Sequence, residues 1–187
     1  EEGELAVAQR VEDLAVVGSI AVGRFPQGLA ISGTPGVDER VWVANRDDDT
    51  LTIINVLGNN VIGTVSVADA PIGVAIGGQF SAETVVVACS GANVISLVEA
   101  VTGNFLGTVA VGTMPWSVAI GGPAMETAYV ANLGADSVSF VDLDQRRETN
   151  RVPVGPQPAG ITIVGGSDLE ELYTANGGDG TVSVIEV

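Results

Sequence analysis

Four stretches of the sequence end in nearly the same residues and decide the fold: Val41–Asn45 (VWVAN), Val85–Cys89 (VVVAC), Ala128–Asn132 (AYVAN) and Leu172–Asn176 (LYTAN). Their last residues lie 44, 43 and 44 positions apart. A proline followed by an apolar run stands upstream of each stretch, and these prolines are 45, 44 and 43 positions apart. Because two independent markers keep one period, the chain consists of four repeats of about 44 residues.

The pattern inside each repeat is that of β-strands. In the second repeat, β-branched and apolar residues alternate with polar ones over residues 74–76, 84–88, 93–99 and 106–111. Glycine-containing turns separate these runs. Four antiparallel strands in about 44 residues is the size of one propeller blade, so the sequence predicts an all-β propeller of four blades.

Three motifs resemble the YVTN repeat of β-propeller proteins. They are Tyr129–Asn132 (YVAN), the first-strand sequence Pro71–Ala75 (PIGVA) and the fourth-strand sequence Gly63–Val67 (GTVSV). The resemblance runs from about residue 14 to residue 187. It implies a propeller of the kind found in secreted and surface proteins of bacteria and archaea. Cys89 departs from the pattern, because it stands where the motif has asparagine.

The repeat boundaries predict one domain over residues 1–187, with blades at about 23–67, 68–111, 112–154 and 155–187, the last of them completed by residues 14–22. The last repeat lacks its fourth strand, and residues 17–22 match that strand, so we expect the N-terminal strand to complete the last blade. Closure within one chain, a two-chain ring and an open filament all fit this strand count. Residues 5–11 align with a third strand, which favours exchange between chains or a longer polypeptide over self-closure.

Composition excludes several function classes. Of the 187 residues 46% are hydrophobic, and 7 basic against 23 acidic residues give a net charge of −16. All seven cations are arginines. This balance opposes binding to nucleic acid, which requires cations to neutralise phosphates. With no histidine and a single cysteine, the chain cannot form a Ser-His-Asp triad, a histidine zinc site, a histidine-ligated haem or an internal disulfide.

No stretch of about 18 apolar residues is present, so no membrane-spanning segment is expected. The acidic, lysine-free surface and the family resemblance favour a secreted, periplasmic or cell-surface location.

The connections that enter each first strand vary in sequence within a constant frame. In propellers of this kind they gather at one end of the central channel, where they form a candidate rim. Its candidate residues are Arg24, Phe25, Asp69, Met114, Trp116 and Gln157. Two interpretations remain open: the apolar members either pack between blades or form a face for a ligand or partner.

Asp47 and Asp49 are candidate calcium ligands, because alternating carboxylates on a turn supply hard oxygen donors. The pattern does not recur in the other repeats, so the alternative is a solvated turn, and no other cofactor is expected. The motif asparagines are predicted to bond their own backbone, and Cys89 to be a buried, inert thiol.

These features favour a non-catalytic repeat module that binds a protein, a glycan or a surface component and self-associates through its terminal strands. A structural subunit of a surface layer or filament is the alternative. A propeller enzyme of the lactonase or oxidoreductase type is a third candidate, weakened by the absence of histidine.

Overall fold

The structure, a computed structural model, describes residues 16, 18–78, 82–166 and 169–187. These ranges contain fifteen β-strands in four antiparallel sheets. The first two sheets are β1 (Pro26–Ser32), β2 (Arg40–Asn45), β3 (Thr50–Asn55) and β4 (Asn60–Ser66), then β5 (Pro71–Gly77), β6 (Thr84–Cys89), β7 (Val94–Glu99) and β8 (Phe105–Ala110). The last two are β9 (Pro115–Gly121), β10 (Thr127–Asn132), β11 (Ser137–Asp142) and β12 (Arg147–Pro153), then β13 (Pro158–Gly166), β14 (Leu169–Asn176) and β15 (Thr181–Glu186).

Each repeat forms one sheet, and strands follow one another in chain order within it. The all-β prediction is therefore confirmed, and the strands of the second repeat start and end within three residues of their predicted bounds. Among the described residues, no helix reaches the length and hydropathy that crossing a membrane requires. We call the four sheets, with their connections, blades 1 to 4.

The first strands of the blades lie side by side: β1 next to β5, β5 next to β9, and β9 next to β13. This arrangement makes them the inner strands of a propeller. Their close approach depends on glycine, because a Cβ at Gly28 would lie 2.2 Å from the Ile72 carbonyl oxygen. At Gly73 it would lie 2.7 Å from the Trp116 carbonyl oxygen.

The hydrophobic core consists of the three interfaces between consecutive blades. Trp42 and Leu51 of blade 1 pack against Val85 and Val87 of blade 2. Blades 2 and 3 bury a second cluster, and Tyr129 and Leu172 belong to a third, between blades 3 and 4. The second and third strands of blades 2 and 3 are largely buried on both faces, which explains their apolar sequences.

In one respect the structure differs from expectation. The fourth sheet has three strands, and none of the described N-terminal residues pairs with β15. Residues 18–22 carry no strand, and Val17 and the predicted strand over 5–11 lie outside the described residues. The Gly23 N–H instead donates to Asn45 Oδ1 at 3.1 Å, so this segment stays with blade 1. Among the described residues, the strands of blades 1 and 4 do not contact each other as the strands of neighbouring blades do.

Candidate functional site

The candidate rim residues lie on or next to two sets of backbone loops that are hydrogen-bonded to each other. One set is the connections that enter the inner strands, at residues 23–25, 67–70, 112–114 and 155–157. The other is the hairpin turns at 46–49, 90–93, 133–136 and 177–180. In every blade, two turn N–H groups donate to two carbonyls of the entering connection, for example Arg46 N to Phe25 O at 3.1 Å and Asp47 N to Arg24 O at 3.4 Å. We call these eight segments the rim.

Side chains link the rim from one blade to the next. Ala70 N–H donates to Asp49 Oδ1 at 2.9 Å, and Met114 N–H donates to Asn93 Oδ1, also at 2.9 Å. Gln157 N–H donates to Asp136 Oδ1 at 2.8 Å. At each of three blade junctions, a carboxylate or amide oxygen of one blade thus accepts a hydrogen bond from the connection that enters the next blade. This bond, which we call the rim clasp, gives the rim a rigid frame.

The residue before each repeat proline has a left-handed backbone. Phe25, Ala70, Met114 and Gln157 have φ of 52°, 53°, 51° and 53°. Non-glycine residues adopt this region at a cost of about 1 kcal/mol or more, and they persist there only where surrounding contacts enforce it. The hydrogen-bonded frame supplies that enforcement in all four blades, whatever the side chain. Identity at this position is therefore free to vary.

Two of these side chains are large, apolar and exposed. Phe25 is 53% exposed and Met114 is 43% exposed. Trp116 is half-buried in β9, and Asp69 and Gln157 are exposed on their connections. The structure thus separates the candidates by exposure: the Phe25 and Met114 side chains are exposed, whereas Trp116 is only partly exposed on β9.

Arginines flank Phe25 on blade 1. Arg24 forms an ion pair with Asp48, whose Oδ2 also accepts the Arg24 N–H at 2.6 Å. These contacts raise the pKa of Arg24 and lower the pKa of Asp48, the latter chiefly through the backbone hydrogen bond. The Arg46 guanidinium lies 5.6 Å from the centre of the Phe25 ring, a cation–π arrangement. The exposed Phe25 ring therefore has a cationic neighbour at the rim.

The two candidate calcium ligands, Asp47 and Asp49, differ in their contacts. Asp49 accepts the Ala70 N–H, and Asp48 between the two candidates is paired with Arg24. Asp47 is exposed, and its carbonyl oxygen accepts a bond from Arg24 Nη2 at 2.7 Å. Within the part of the chain that the structure describes, no group of three or more His, Cys, Asp or Glu side chains converges on one point.

The motif asparagines differ from the prediction, because their amide groups bond side chains across the hairpin. Asn45 Nδ2 donates to Thr50 Oγ1 and Thr52 Oγ1 at 3.0 and 2.9 Å. Asn132 and Asn176 bond the equivalent serine and threonine hydroxyls. The sequence signal that could have revealed this role is the pair of hydroxyl residues at a constant distance after each of these three asparagines.

Cys89 occupies the asparagine position of blade 2 and is fully buried, as predicted. Burial raises the pKa of its thiol to about 11, which keeps the group protonated and unreactive at neutral pH. A compensating change accompanies it: the residue packed on each asparagine is glycine (Gly23, Gly112, Gly155), but the residue at the equivalent position beside Cys89 is Ala68.

A glutamate recurs once in every repeat, and the sequence alone did not predict a role for it. Glu39, Glu83, Glu126 and Glu170 recur at intervals of 44, 43 and 44 positions, each one residue away from the first residue of a second strand. Glu83 accepts the Gly33 N–H of blade 1 at 2.7 Å, and Glu170 accepts the Gly122 N–H of blade 3 at 3.1 Å. These bonds tie blades together at the end opposite the rim.

Comparisons with known proteins place the fold. No protein-family model matches the sequence, and neither does any curated protein. Among solved structures, hydrazine synthase of Kuenenia stuttgartiensis matches with a TM-score of 0.73 and 18% identity, over 93% of this chain and 49% of that one. The BBS1N chain in its complex with ARL6DN matches with a TM-score of 0.72 and 14% identity, over 91% and 55%. A functionally unknown protein from Desulfotomaculum acetoxidans matches with a TM-score of 0.63 and 18% identity, over 92% and 57%.

The fold is therefore that of a β-propeller protein, as it is in hydrazine synthase and BBS1N. At such low identities the likeness shows the fold alone. The chain spans about half the length of the solved structures it matches.

Proposed function

We propose that this chain is a non-catalytic propeller module of the YVTN-repeat type, which binds a protein or glycan partner through its rim at the cell surface or outside the cell. The observation that carries the proposal is the pair Phe25 and Met114. Both are large apolar side chains, about half exposed, at equivalent positions of a rim whose backbone is already hydrogen-bonded.

Two features favour recognition over catalysis at this rim. First, the exposed apolar side chains are accompanied by arginine, and aromatic residues, methionine and arginine are the types enriched where proteins meet. Second, the carboxylates of Asp48 and Asp49 are engaged in structural bonds to Arg24 and Ala70. Propellers serve both purposes among the neighbours: BBS1N was solved in complex with ARL6DN, whereas another match is named a dihydro-heme d1 dehydrogenase.

Site-specific photo-crosslinking tests the proposal. A photo-reactive phenylalanine analogue is placed at position 25 or 114, and each protein is irradiated with the envelope and secreted fractions of the source organism. Position 57 is the matched control, since Leu57 is at least as exposed, at 64%, on an outer turn. We expect one discrete product from both rim positions and none from position 57.

Competition makes the result specific. Excess wild type and excess Leu57→Ser should suppress the product equally, whereas the double variant Phe25→Ser/Met114→Ser should not. Identical products from positions 25 and 57, or equal competition by the rim variant, would contradict partner binding at the rim.

A further inference from the structure

Two of the three rim clasps use a charged residue where a neutral one makes the same bond. Asn93 accepts the Met114 N–H through its amide oxygen at 2.9 Å. Asp49 and Asp136 accept the equivalent N–H groups at 2.9 and 2.8 Å. All three acceptor residues have a left-handed backbone, with φ from 47° to 58°. The clasp itself therefore does not require the negative charge of the two aspartates.

This charge is not neutralised by a cation of the described chain. Within the described ranges, one ion pair lies on the rim of blade 1 and the other on the outer strand of blade 3. Neither pair includes Asp49 or Asp136, which are both exposed. On blades 2, 3 and 4, the rim segments contain Asp69, Asp136 and Asp179 but no arginine. This part of the rim thus carries negative charge that has no ion-pair partner among the described residues.

Turn glycines accommodate two side chains in this part of the rim. A Cβ at Gly134 would lie 3.2 Å from the Cβ, Cγ and Sδ atoms of Met114, so the Met114 side chain lies across that turn. A Cβ at Gly91 would lie 2.6 Å from Asp69 Cγ, so the Asp69 carboxylate lies across the equivalent turn of blade 2. Along the rim, Met114 of blade 3 comes after Asp69 and before Asp136, which is bonded to blade 4. An exposed apolar side chain is therefore flanked by two carboxylates.

We infer that the partner at the rim is a protein with a cationic segment, in which lysine or arginine side chains pair with Asp69 and Asp136 and an apolar side chain between them packs on Met114. This inference rests on the rim binding proposed above and names the chemistry of that partner. Exposed ion pairs each contribute a factor of about 1.4–5 in affinity. We therefore expect charge to govern the specificity and the salt dependence of binding more than its tightness.

Electrostatics favours this occupant over a glycan. The net charge of −16 repels an acidic partner, including an acidic glycan, and attracts a basic one at long range. A neutral glycan forms hydrogen bonds with amides as well as with carboxylates, so it gives no reason for charge at the clasp. A cationic protein segment supplies both the positive group and the apolar side chain that methionine accommodates.

NMR titration of the isotope-labelled 187-residue chain with three short peptides tests the charge preference. Each peptide has one leucine between two lysines, two glutamines or two glutamates. We expect the lysine peptide to shift the amide signals of Asp69, Met114 and Asp136, with a dissociation constant at least about fivefold below that of the glutamine peptide. The glutamate peptide should shift none of them. Equal binding of the lysine and glutamine peptides, or no binding of the lysine peptide, overturns the inference.

Charge removal that preserves the clasp identifies the carboxylates involved. Asp69→Asn/Asp136→Asn removes two rim charges, and Asn93 shows that an amide retains the main-chain bond. The matched control, Asp38→Asn/Asp144→Asn, removes two exposed charges away from the rim. The rim variant should bind the lysine peptide about 2- to 30-fold more weakly, and the control should bind it like the wild type, because salt screens distant charges. Equal weakening in both variants would show only a general attraction to an acidic protein and overturns the inference.

A gain of charge gives the opposite test. Asn93→Asp adds a carboxylate beside Met114, and the clasp remains because Asp49 and Asp136 make it with carboxylates. This variant should bind the lysine peptide about 1.4- to 5-fold more tightly and the glutamine peptide as the wild type does. An unchanged or weaker affinity for the lysine peptide contradicts pairing with charge at this position.

The natural partner separates this inference from the proposed rim binding. In the photo-crosslinking experiment, the product from position 25 should decrease in Asp69→Asn/Asp136→Asn and when salt is raised from about 0.15 M to about 0.5 M. A product that resists both changes, or one whose added mass is a glycan, leaves rim binding intact and refutes the cationic protein partner. The absence of any product from positions 25 and 114 refutes rim binding itself, and this inference with it.

Discussion

Exchanging the residue pair at positions 68 and 89 tests whether each blade's glycine and asparagine act as one unit. A Cβ at Gly23 would lie 2.5 Å from Asn45 Cγ, and a Cβ at Gly112 would lie 2.5 Å from Asn132 Cγ. Cys89→Asn in blade 2 would therefore push an amide against the Cβ of Ala68. Overpacking of this size costs about 1–3 kcal/mol.

A hydrogen-bond deficit adds to the overlap. In blade 1 the amide donates to Thr50 and Thr52, but the equivalent residues in blade 2 are Val94 and Ser96. The amide introduced by Cys89→Asn would find one hydroxyl, and an unmet buried N–H costs about 1–3 kcal/mol. Together these effects should lower the free energy of unfolding by about 2–6 kcal/mol. Ala68→Gly alone should cost about 0.5–1 kcal/mol, because glycine loses more conformational entropy on folding.

The double variant Ala68→Gly/Cys89→Asn should recover the overlap cost, so that the two changes couple by about 1–3 kcal/mol in a double-mutant cycle. Urea unfolding of the four proteins measures this coupling. Adding Val94→Thr should recover about 1 kcal/mol more by supplying the second hydroxyl. Gly23→Ala creates the reverse mismatch in blade 1 and should cost as much as the overlap. Additive effects, with a coupling below about 0.5 kcal/mol, would refute the reasoning.

Three further predictions use matched pairs of variants. Val118→Asp should abolish soluble folded protein because it buries an unpaired carboxylate at a cost of several kcal/mol. Leu29→Asp, at the equivalent exposed position of blade 1, should retain the wild-type circular dichroism spectrum. Equal loss of folded protein in both variants would contradict the burial of Val118 and the exposure of Leu29. Gly73→Ala should lower the melting temperature, because its Cβ would lie 2.7 Å from the Trp116 carbonyl oxygen, whereas Gly160→Ala, with its nearest neighbour at 3.9 Å, should leave it nearly unchanged. Burial raises the pKa of the Cys89 thiol from 9.0 to about 11, so the unfolded chain loses this proton first and the free energy of unfolding should fall as pH rises from about 9 to about 11. Cys89→Ala should lose that part of the pH dependence. Identical profiles of unfolding free energy against pH for the variant and the wild type would show that the thiol is not buried in the folded protein.

The strands and their repeat were predictable because their signals are local. Alternating β-branched residues and glycine turns recur at nearly equal intervals, so the chain carries the same strand and turn pattern four times. The connections that carry five of the six candidate rim residues could be located for the same reason, since each connection ends directly before a repeat proline. The partial exposure of Trp116 was not predictable, because exposure depends on the surroundings of β9 in the folded protein and not on the local sequence.

Contacts between repeats could not be predicted from the repeat pattern of the sequence. The rim clasp joins residues 21 positions apart, and the bond from Gly33 to Glu83 spans 50 positions. Nothing in the local sequence distinguishes Asp49, whose carboxylate holds the next blade, from Asp47, which lies exposed two residues away. The pairing of Ala68 with Cys89 likewise becomes meaningful only when the two side chains are seen to occupy the same space.

The sequence by itself determined that the chain is all-β, that it repeats four times and that each repeat is one four-stranded blade or most of one. Secondary structure of this kind follows from side-chain alternation and turn residues, which act over a few positions. Tertiary structure alone decided which apolar side chains are covered: Val118 and Leu29 occupy one position of the same repeat, yet one is buried and the other exposed. The physical reason is that burial depends on the neighbouring blade, and blade 1 has no blade before it in the described structure.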